Sequence, residues 1–231
     1  MSTLTILLSL TSIVSLLFIR LLYVLPGRWR PRPAKKPAGY KAHLMVMLGS
    51  GGHTAEMIMM LRSLDMGLYH IRTYVVSSGD SLSAAKAKAF EDSLPQTHEN
   101  ETPRYRITTL PRARHVGQSF LTTPLTALLS LLSALHVLLT SSPDLILANG
   151  PGTCVTLILA AYIPRFMGMG PRMVYVESFA RVRGLSLSGR LVRPVVDRFL
   201  VQWEGLVGRY PGVEYRGVLV AGSTSNRGDA S

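Results

Sequence analysis

The sequence predicts an α/β fold: a single Rossmann-like lobe with a parallel sheet, behind one N-terminal transmembrane helix. Three observations lead to this prediction. The chain opens on a long apolar stretch, short apolar runs alternate with helical stretches from residue 42 onward, and glycine-rich turns join two of these runs to the helices that follow. Such alternation is typical of a parallel sheet covered on both faces. A chain of 231 residues is long enough for one such domain and a short appendage.

The first element is an apolar stretch from Leu4 to Leu25, in which Arg20 is the only charged residue. At about 1.5 Å of rise per residue, a helix of this length crosses a hydrocarbon layer of about 30 Å. Arg20 lies near its end, where a long cationic side chain can reach the lipid headgroups. The stretch lacks the flanking charge and the small-residue cleavage site of a signal peptide, so we interpret residues 1–25 as a retained anchor.

Residues 26–41 are basic and rich in proline, which predicts an extended linker. Because positively charged flanks stay on the cytosolic side, we expect the N-terminus in the lumen and the rest of the chain in the cytosol. The N-glycosylation sequon at Asn100 should then stay unmodified. The cationic residues of the linker are Arg28, Arg30, Arg32, Lys35, Lys36 and Lys41.

The globular lobe is predicted to span residues 42–220, and the polar residues 221–231 to form a disordered tail. Ligands are expected at the carboxyl ends of its strands. The predicted strands are Leu44–Leu48, Arg72–Ser77, Tyr105–Leu110, Leu145–Ala148, Met173–Glu177 and Arg198–Gln202, with a short extended end at Glu214–Val220. The predicted helices are Thr54–Leu64, Ser81–Phe90, Pro124–Thr140, Thr153–Phe166 and Ser188–Val192.

The stretch Phe120–Thr140 has no charged residue over 21 positions and by length alone would qualify as a second transmembrane helix. Pro124, His136 and several serine and threonine residues argue against that assignment. We favour a helix that packs on the sheet or lies at the membrane interface.

The composition excludes several classes of function. A net charge of +12, with no acidic residue before Glu56, indicates an anionic surface as partner. Aromatic residues make up only 7% of the chain, which favours a membrane over nucleic acid. Cys154 is the single cysteine, so thiolate zinc sites and disulfides within the chain are excluded, and we expect it to be a buried apolar residue. No cofactor is predicted, and no metal either, because Asp80, Asp144 and Asp197 have no metal-site spacing.

The most informative segment is the turn after the first predicted strand, Gly49-Ser50-Gly51-Gly52-His53-Thr54. Glycines allow close approach of a ligand, and a helix N-terminus attracts phosphate. The spacing fits neither a dinucleotide fingerprint nor a Walker loop. His53 is a candidate general base, or it only caps the helix or binds phosphate, and the spacing leaves both open. Ser50 and Thr54 are candidate phosphate donors, and Thr54 is alternatively the N-cap.

Two further turns end predicted strands. Asn149-Gly150-Pro151-Gly152-Thr153 is a candidate phosphate-binding turn, or a tight strand-to-helix connection without a ligand. Glu177 is a candidate to orient a sugar hydroxyl or assist a base, and Arg181 to hold phosphate; a surface ion pair is the alternative for both. The basic loop Pro111–Ser119 suits a diphosphate or headgroups, or is only solvated.

Taken in order, these segments resemble the asparagine-linked glycosylation 14 family, the membrane subunits of the eukaryotic dolichol-pathway N-acetylglucosaminyltransferase. The resemblance covers about Leu44 to Val220. Five motifs carry it: Gly49–Met57, Tyr74–Asp80, Pro111–Ser119, Pro143–Thr153 and Val176–Val182.

The resemblance implies one half of a GT-B glycosyltransferase, similar to the acceptor lobe of the bacterial lipid-linked N-acetylglucosaminyltransferase. A separate soluble partner would hold UDP-N-acetylglucosamine (UDP-GlcNAc). The pair would add the second GlcNAc to dolichyl-diphospho-GlcNAc at the endoplasmic reticulum membrane, with inversion to a β1,4 bond. The resemblance implies the glycine-rich turn as the diphosphate site, His53 as general base, and docking of the partner through Tyr215, Val218, Leu219 and Val220.

The chain departs from the family pattern in its last 11 residues, 221–231, which follow the usual end. Two rival interpretations remain. In one, the chain is a non-catalytic membrane tether that recruits a complete enzyme. In the other it is a self-sufficient enzyme, which the missing Walker lysine and the single-domain length disfavour.

Overall fold

The computed structural model describes residues 3–26, 36–37, 39–95, 104–114, 117–119, 121–150 and 152–221. Most of the basic linker, the sequon at Asn100 and the tail after residue 221 lie outside these residues. The predictions made for those segments therefore stay predictions.

The N-terminal helix α1 spans Thr3–Val24. Its apolar side chains are exposed along almost the whole length, because only its last turns approach the lobe. Arg20, near the end of α1, contacts the globular domain. Its guanidinium donates to the backbone carbonyls of Phe166 at 2.9 Å and Arg165 at 3.5 Å. The expected contact of Arg20 with lipid headgroups stays a prediction.

A sheet of seven strands forms the centre of the lobe, and every paired neighbour is parallel. Its order is β3-β2-β1-β4-β5-β6-β7. The order runs one way from β1 to β3 and the other way from β4 to β7, so the direction reverses between β1 and β4, where Rossmann-like sheets bind their ligands. The strands are β1 His43–Leu48, β2 Ile71–Ser77, β3 Arg104–Leu110, β4 Leu145–Ala148, β5 Arg172–Val176, β6 Arg198–Val201 and β7 Val213–Tyr215.

Helices cover both faces of the sheet, as the continuous apolar strands require. One face packs Leu44 and Val46 of β1 against α2 and α3; the other packs Met45 and Met47 of β1 against α4 and α5. The helices after α1 are α2 Gly52–Arg62, α3 Ser81–Asp92, α4 Thr123–Ser141, α5 Gly152–Ala160, α6 Tyr162–Phe166 and α7 Leu187–Val192.

One predicted helix, Thr153–Phe166, is in fact two, α5 and α6, with a break at Ala161. The residue responsible is Pro164, which has no N–H to bond the carbonyl of Ala160 four positions earlier. The break matters for the anchor, because the carbonyls that bind Arg20 belong to the last residues of α6.

Helix α4 is the long uncharged segment, and the structure places it against the lobe. It connects β3 to β4, two strands of the same sheet, and packs on α5 through Ser130, Ala134 and Leu138. Its outer face carries Leu125, Leu128, Leu129, Leu132 and Leu139, all exposed. Within the described residues α1 and α4 are the two helices long and apolar enough to cross a membrane, but the strand connections make α4 a crossover helix of the sheet.

The C-terminal end differs from the extended segment predicted for Glu214–Val220. Only Val213–Tyr215 pairs with the sheet, and Leu219–Ala221 forms a turn of 3-10 helix that packs against α2. The amide of Val220 donates to the side-chain oxygen of Gln202 at 3.3 Å, which holds this turn to the end of β6. The apolar pattern that suggested a strand therefore reflects contact with α2.

Candidate active site

The candidate site lies where β1 and β4 end side by side. The glycine-rich turn leads from β1 into α2, and the turn that begins with Asn149 leads from β4 into α5. Because β1 and β4 are hydrogen-bonded neighbours, two motifs almost 100 residues apart in sequence meet at one edge of the sheet. This is the carboxyl edge at the reversal of strand order, where sheets of this kind bind ligands.

The glycine-rich turn exposes the N-terminus of α2. Gly51 is the N-cap residue and has a φ of +65°, a conformation that side chains rarely adopt. Ser50, Gly51 and Gly52 are exposed, whereas Gly49 is buried. The N–H groups of the first helical turn have no partners within the helix, so this end offers donors and a positive dipole end to an anion.

Thr54 does not take either role predicted for its side chain. Its hydroxyl is fully buried, donates to the carbonyl of Gly49 and shares a hydrogen bond of 2.6 Å with Ser83. The N-cap is Gly51, so the cap assignment for Thr54 was wrong. Its hydroxyl holds the glycine-rich turn against α3, and any contact of Thr54 with phosphate is left to its backbone N–H.

A chain of hydrogen bonds runs from His53 through Asn149 to Glu56. Nδ1 of His53 lies 2.9 Å from Oδ1 of Asn149, and Nδ2 of Asn149 donates to Oε2 of Glu56 at 2.9 Å. Asn149 is completely buried, while His53 and Glu56 are half-buried. Ser178 and the amide of Phe179 donate to the same carboxylate at 2.8 and 3.2 Å. The structure thus brings together three elements around one imidazole.

Gly150 restricts the position of the His53 imidazole. A Cβ at this position would stand 2.9 Å from Cγ of His53, and the φ of Gly150 is +113°. Its carbonyl accepts a hydrogen bond of 3.1 Å from the hydroxyl of Tyr175, whose pKa is raised by burial, so that this hydroxyl stays a donor. The neighbouring carbonyl of Asn149 accepts from Cys154, which is buried as expected.

The side chains in the rest of this turn make their hydrogen bonds mainly to other residues of the lobe. Thr153 is buried, and its hydroxyl lies 3.2 Å from that of Ser77. Gly152 is exposed and begins α5, a second helix N-terminus at the same edge. The phosphate role predicted for Asn149 and Thr153 is therefore not available to their side chains, which are occupied inside the lobe.

Glu177 also has a different role from the catalytic one predicted. Its carboxylate is buried and accepts hydrogen bonds from the amide of Ser178 at 3.1 Å and from the amide and hydroxyl of Ser186 at 3.0 and 3.1 Å. A side chain at Gly189 would overlap its Oε2. These contacts enclose the carboxylate under α7, where it shapes the loop of residues 178–186 and is closed to a substrate.

That loop carries Arg181 on the surface. Arg181, Arg183 and Arg190 line a shallow concavity of about 490 Å³ together with the backbone around Gly184. The loop begins at Ser178, which donates to Glu56, so the chain connects this concavity to the candidate site. Three cationic side chains at its wall suit an anionic ligand, in keeping with the prediction for Arg181.

The four residues predicted to dock a partner divide into two pairs. Tyr215 and Val218 are exposed, whereas Leu219 and Val220 are half-buried and pack on the core beside α2. The first pair is free to meet another protein; the second supports the lobe's own fold.

No group of three or more metal-ligating side chains occurs among the described residues. A cavity of about 940 Å³ lies at the opposite edge of the sheet and is lined by residues such as Arg62, Asp65 and His70. It surrounds the amino ends of β1 and β2, away from the histidine.

Known proteins match most of the chain. The family model described as "Oligosaccharide biosynthesis protein Alg14 like" matches residues 44–219. The chain is 46% identical over 202 residues to the UDP-N-acetylglucosamine transferase subunit alg14 of Schizosaccharomyces pombe, an alignment that covers 86% of this chain and 93% of that protein. The chain belongs to the Alg14 family. The UDP-N-acetylglucosamine transferase subunit ALG14 of Mus musculus is 38% identical over 212 residues, covering 90% of this chain and 94% of the mouse protein.

Solved structures share the fold of this Alg14-family chain. MurG of Acinetobacter baumannii superposes with a TM-score of 0.50 at 14% identity, covering 75% of this chain and 43% of MurG. The UDP-N-acetylglucosamine 2-epimerase of Rickettsia bellii gives a TM-score of 0.50 at 12% identity, covering 78% and 46%. The chain thus spans less than half of either protein. The predicted fold class, one Rossmann-like lobe of the GT-B type, is confirmed.

Sequence reasoning missed Glu56 as a member of the site. The available signal was its place in Gly49–Met57, three residues after His53 and therefore on the same side of a helix. The contact that makes it relevant runs through Asn149, and only the sheet order shows that the turn after β4 reaches α2.

Proposed function

We propose that this chain is the membrane-anchored, acceptor-binding subunit of a two-component UDP-GlcNAc transferase. The pair adds the second GlcNAc to dolichyl-diphospho-GlcNAc in the synthesis of the lipid-linked oligosaccharide for N-glycosylation. The observation that carries the proposal is the position of His53: a histidine at the entrance of a glycine-rich helix N-terminus, held by Asn149 at the point where the strand order reverses. The names of the Alg14 relatives supply the donor sugar.

In the proposed reaction, His53 is the general base. Nδ1 of His53 is occupied by Asn149, so Nε2 is the nitrogen that faces the acceptor. As the acceptor's 4-hydroxyl oxygen forms a bond to C1 of the donor GlcNAc, its proton passes to Nε2 and the C1–O bond to UDP breaks. UDP leaves with the electron pair of that bond, and attack from the opposite face inverts the anomeric centre to a β1,4 link.

The acceptor diphosphate is placed on the N-terminus of α2. The backbone N–H groups of Gly51, Gly52 and the residues after them supply hydrogen bonds there, and the dipole of α2 favours the negative charge. Gly150 and Gly152 leave the facing turn open to the same ligand, and Arg181 adds a cation from the loop after β5. Glu177 supports this loop from inside.

A partner has to complete the enzyme in this proposal. The chain has one Rossmann-like lobe, and it aligns with less than half of each of its structural neighbours. A soluble partner binds UDP-GlcNAc and docks against the exposed apolar residues Tyr215 and Val218 at the C-terminal end. No cofactor or metal is part of the proposal.

The membrane holds the lobe in two ways. Helix α1 crosses the bilayer of the endoplasmic reticulum with its N-terminus in the lumen, residues 26–41 link it to the lobe, and residues 42–220 lie in the cytosol. The outer leucines of α4 form an exposed apolar face that lies in the interface between headgroups and acyl chains. This brings the carboxyl edge of the sheet close to a lipid-borne acceptor.

The test is transfer of radiolabelled GlcNAc from UDP-GlcNAc to phytanyl-diphospho-GlcNAc by membranes that contain this chain, its soluble partner, or both. Activity only with both supports the proposal, and His53→Ala should then abolish most of it while His70→Ala, a histidine at the opposite edge, leaves it unchanged. Activity of the partner alone would favour the tether, and activity of this chain alone the self-sufficient enzyme. No transfer in any mixture contradicts the proposed reaction.

A further inference from the structure

Glu56 is a carboxylate near the proposed base that does not touch it. Its two oxygens accept three hydrogen bonds, from Asn149, Ser178 and the amide of Phe179. Among the described residues no basic side chain forms an ion pair with it. Three neutral donors from two different loops therefore bind a carboxylate that pairs with no cation in the described part of the chain, which indicates a role beyond packing.

The carboxylate of Glu56 fixes the orientation of the Asn149 amide. A carboxylate has no hydrogen to give, so the amide atom of Asn149 that faces Glu56 must be the NH2 group. The amide oxygen then faces His53, and an oxygen at 2.9 Å from Nδ1 requires the proton on Nδ1. The neutral imidazole keeps its lone pair on Nε2, the nitrogen that faces the acceptor.

We propose that Glu56 is a positioning residue: acting through Asn149, it holds His53 in the tautomer whose Nε2 can accept a proton. This inference rests on the proposed function of His53 as general base. Glu56 touches neither substrate nor the reacting atoms; it determines which face of the Asn149 amide meets the imidazole.

Two substitutions at this position separate charge from volume. Glu56→Gln keeps the size of the side chain but replaces one oxygen by an NH2 group, which cannot accept from three donors. Asn149 can then turn its oxygen toward the new NH2 group and its own NH2 group toward His53, which would move the imidazole proton to Nε2 and remove the base. Glu56→Asp is shorter by one methylene but keeps both acceptor oxygens. If Glu56 only fills space, Glu56→Gln should be more active than Glu56→Asp. If Glu56 positions Asn149, Glu56→Asp should be the more active variant.

The experiment measures kcat and the acceptor KM of the membrane-bound, two-subunit enzyme for these variants, with recovery of the complex by co-purification. Glu56→Gln should lower kcat by a large part of the roughly 10²–10⁴-fold that a general base contributes, with the acceptor KM near its wild-type value. Glu56→Asp should retain more activity than Glu56→Gln. Glu204→Gln, at an exposed glutamate in a surface turn, is the matched control and should behave as wild type.

A double substitution completes the test. If Glu56 acts only through His53, then His53→Ala/Glu56→Gln is no slower than His53→Ala alone, because residues that act as a unit are not additive. If Glu56→Gln keeps the wild-type kcat while His53→Ala is inactive, the inference is overturned and the proposed function stands. The same holds if Glu56→Gln is more active than Glu56→Asp. Wild-type activity of His53→Ala overturns the proposed function itself.

Discussion

Gly150 lies directly against the imidazole of His53, so close that a Cβ on Gly150 would stand 2.9 Å from Cγ, 3.2 Å from Cβ and 3.2 Å from Cδ2 of the histidine. Real Cβ atoms essentially never approach another atom as closely as 2.9 Å, so an alanine here would force the ring or the turn to move. The position of the ring is thus determined from two sides, by Asn149 through a hydrogen bond and by Gly150 through close contact.

Gly150→Ala is expected to displace the imidazole and lower kcat by roughly 10²-fold, the order of loss that accompanies a shift of about 1 Å in a reacting group. The positive φ adds strain of about 1–3 kcal/mol, so the melting temperature should fall as well. The measurement is kcat per recovered complex, beside thermal unfolding. Gly205→Ala, at an exposed glycine with open space around it, is the control for both. Unchanged kcat per complex in Gly150→Ala would show that the contact does not set the ring position.

Arg181→Ala is expected to raise the acceptor KM by about 10-fold or more, because a charge-assisted hydrogen bond is worth about 1.5–3 kcal/mol. Arg181→Lys should recover part of this, since it restores the charge without the fork geometry. Initial rates over a range of acceptor concentrations give the result. Lys88→Ala, at an exposed lysine of α3, removes the same charge far from the loop and should leave KM unchanged. Equal effects of the Arg181 and Lys88 substitutions would mean that only net charge matters.

Val218 and Leu219 are adjacent, yet opposite results are expected from them. Val218→Asp should prevent co-purification of the soluble partner and leave the melting temperature unchanged, because Val218 is exposed. Leu219→Asp should destabilise the lobe by at least about 2 kcal/mol, because Leu219 packs on the core beside α2. Val207→Asp, at another exposed valine, controls for the added charge. Partner binding that survives Val218→Asp would rule out this end as the docking site.

Cys154 should resist thiol reagents in the folded protein. Burial raises the pKa of its thiol to about 12, so at pH 8 almost no thiolate exists, whereas the unfolded chain ionises near pH 9. Because the folded pKa is the higher one, the stability from this group is fully present below pH 9 and falls as the pH rises from 9 toward 12. Labelling with a maleimide at pH 8, with and without denaturant, measures this; rapid labelling of the native chain would contradict it.

Much of the fold could be predicted because the parallel strands are apolar runs bounded by turns; β4 was predicted residue for residue at Leu145–Ala148. The two turns that carry His53 and Asn149 could also be recognised, since both are rich in glycine and follow strands. The contact between these two residues could not be predicted, because it depends on β1 and β4 being neighbours, a property of strand order that no local pattern contains.

The errors have the same physical origin. Glu177 ends a strand as a catalytic carboxylate often does, but Ser186 approaches it from nine residues away and closes it off. Glu56 stands on the first turns of a helix, where a surface role is the ordinary expectation, and becomes part of the site only through Asn149. Both outcomes are decided by contacts between elements.

Arg20 donates to the last carbonyls of α6, so the C-terminal end of α1 is bound to the lobe. A lobe joined to its membrane helix only by a long flexible linker would sample many heights and tilts above the bilayer. It would have to find each acceptor in three dimensions. If α1 crosses the membrane as proposed, a lobe bound at this junction has a restricted height and tilt, and its search for a lipid-borne acceptor approaches diffusion in a plane. In the proposed function, each dolichyl-linked acceptor would then approach the lobe at the same depth and from the same side.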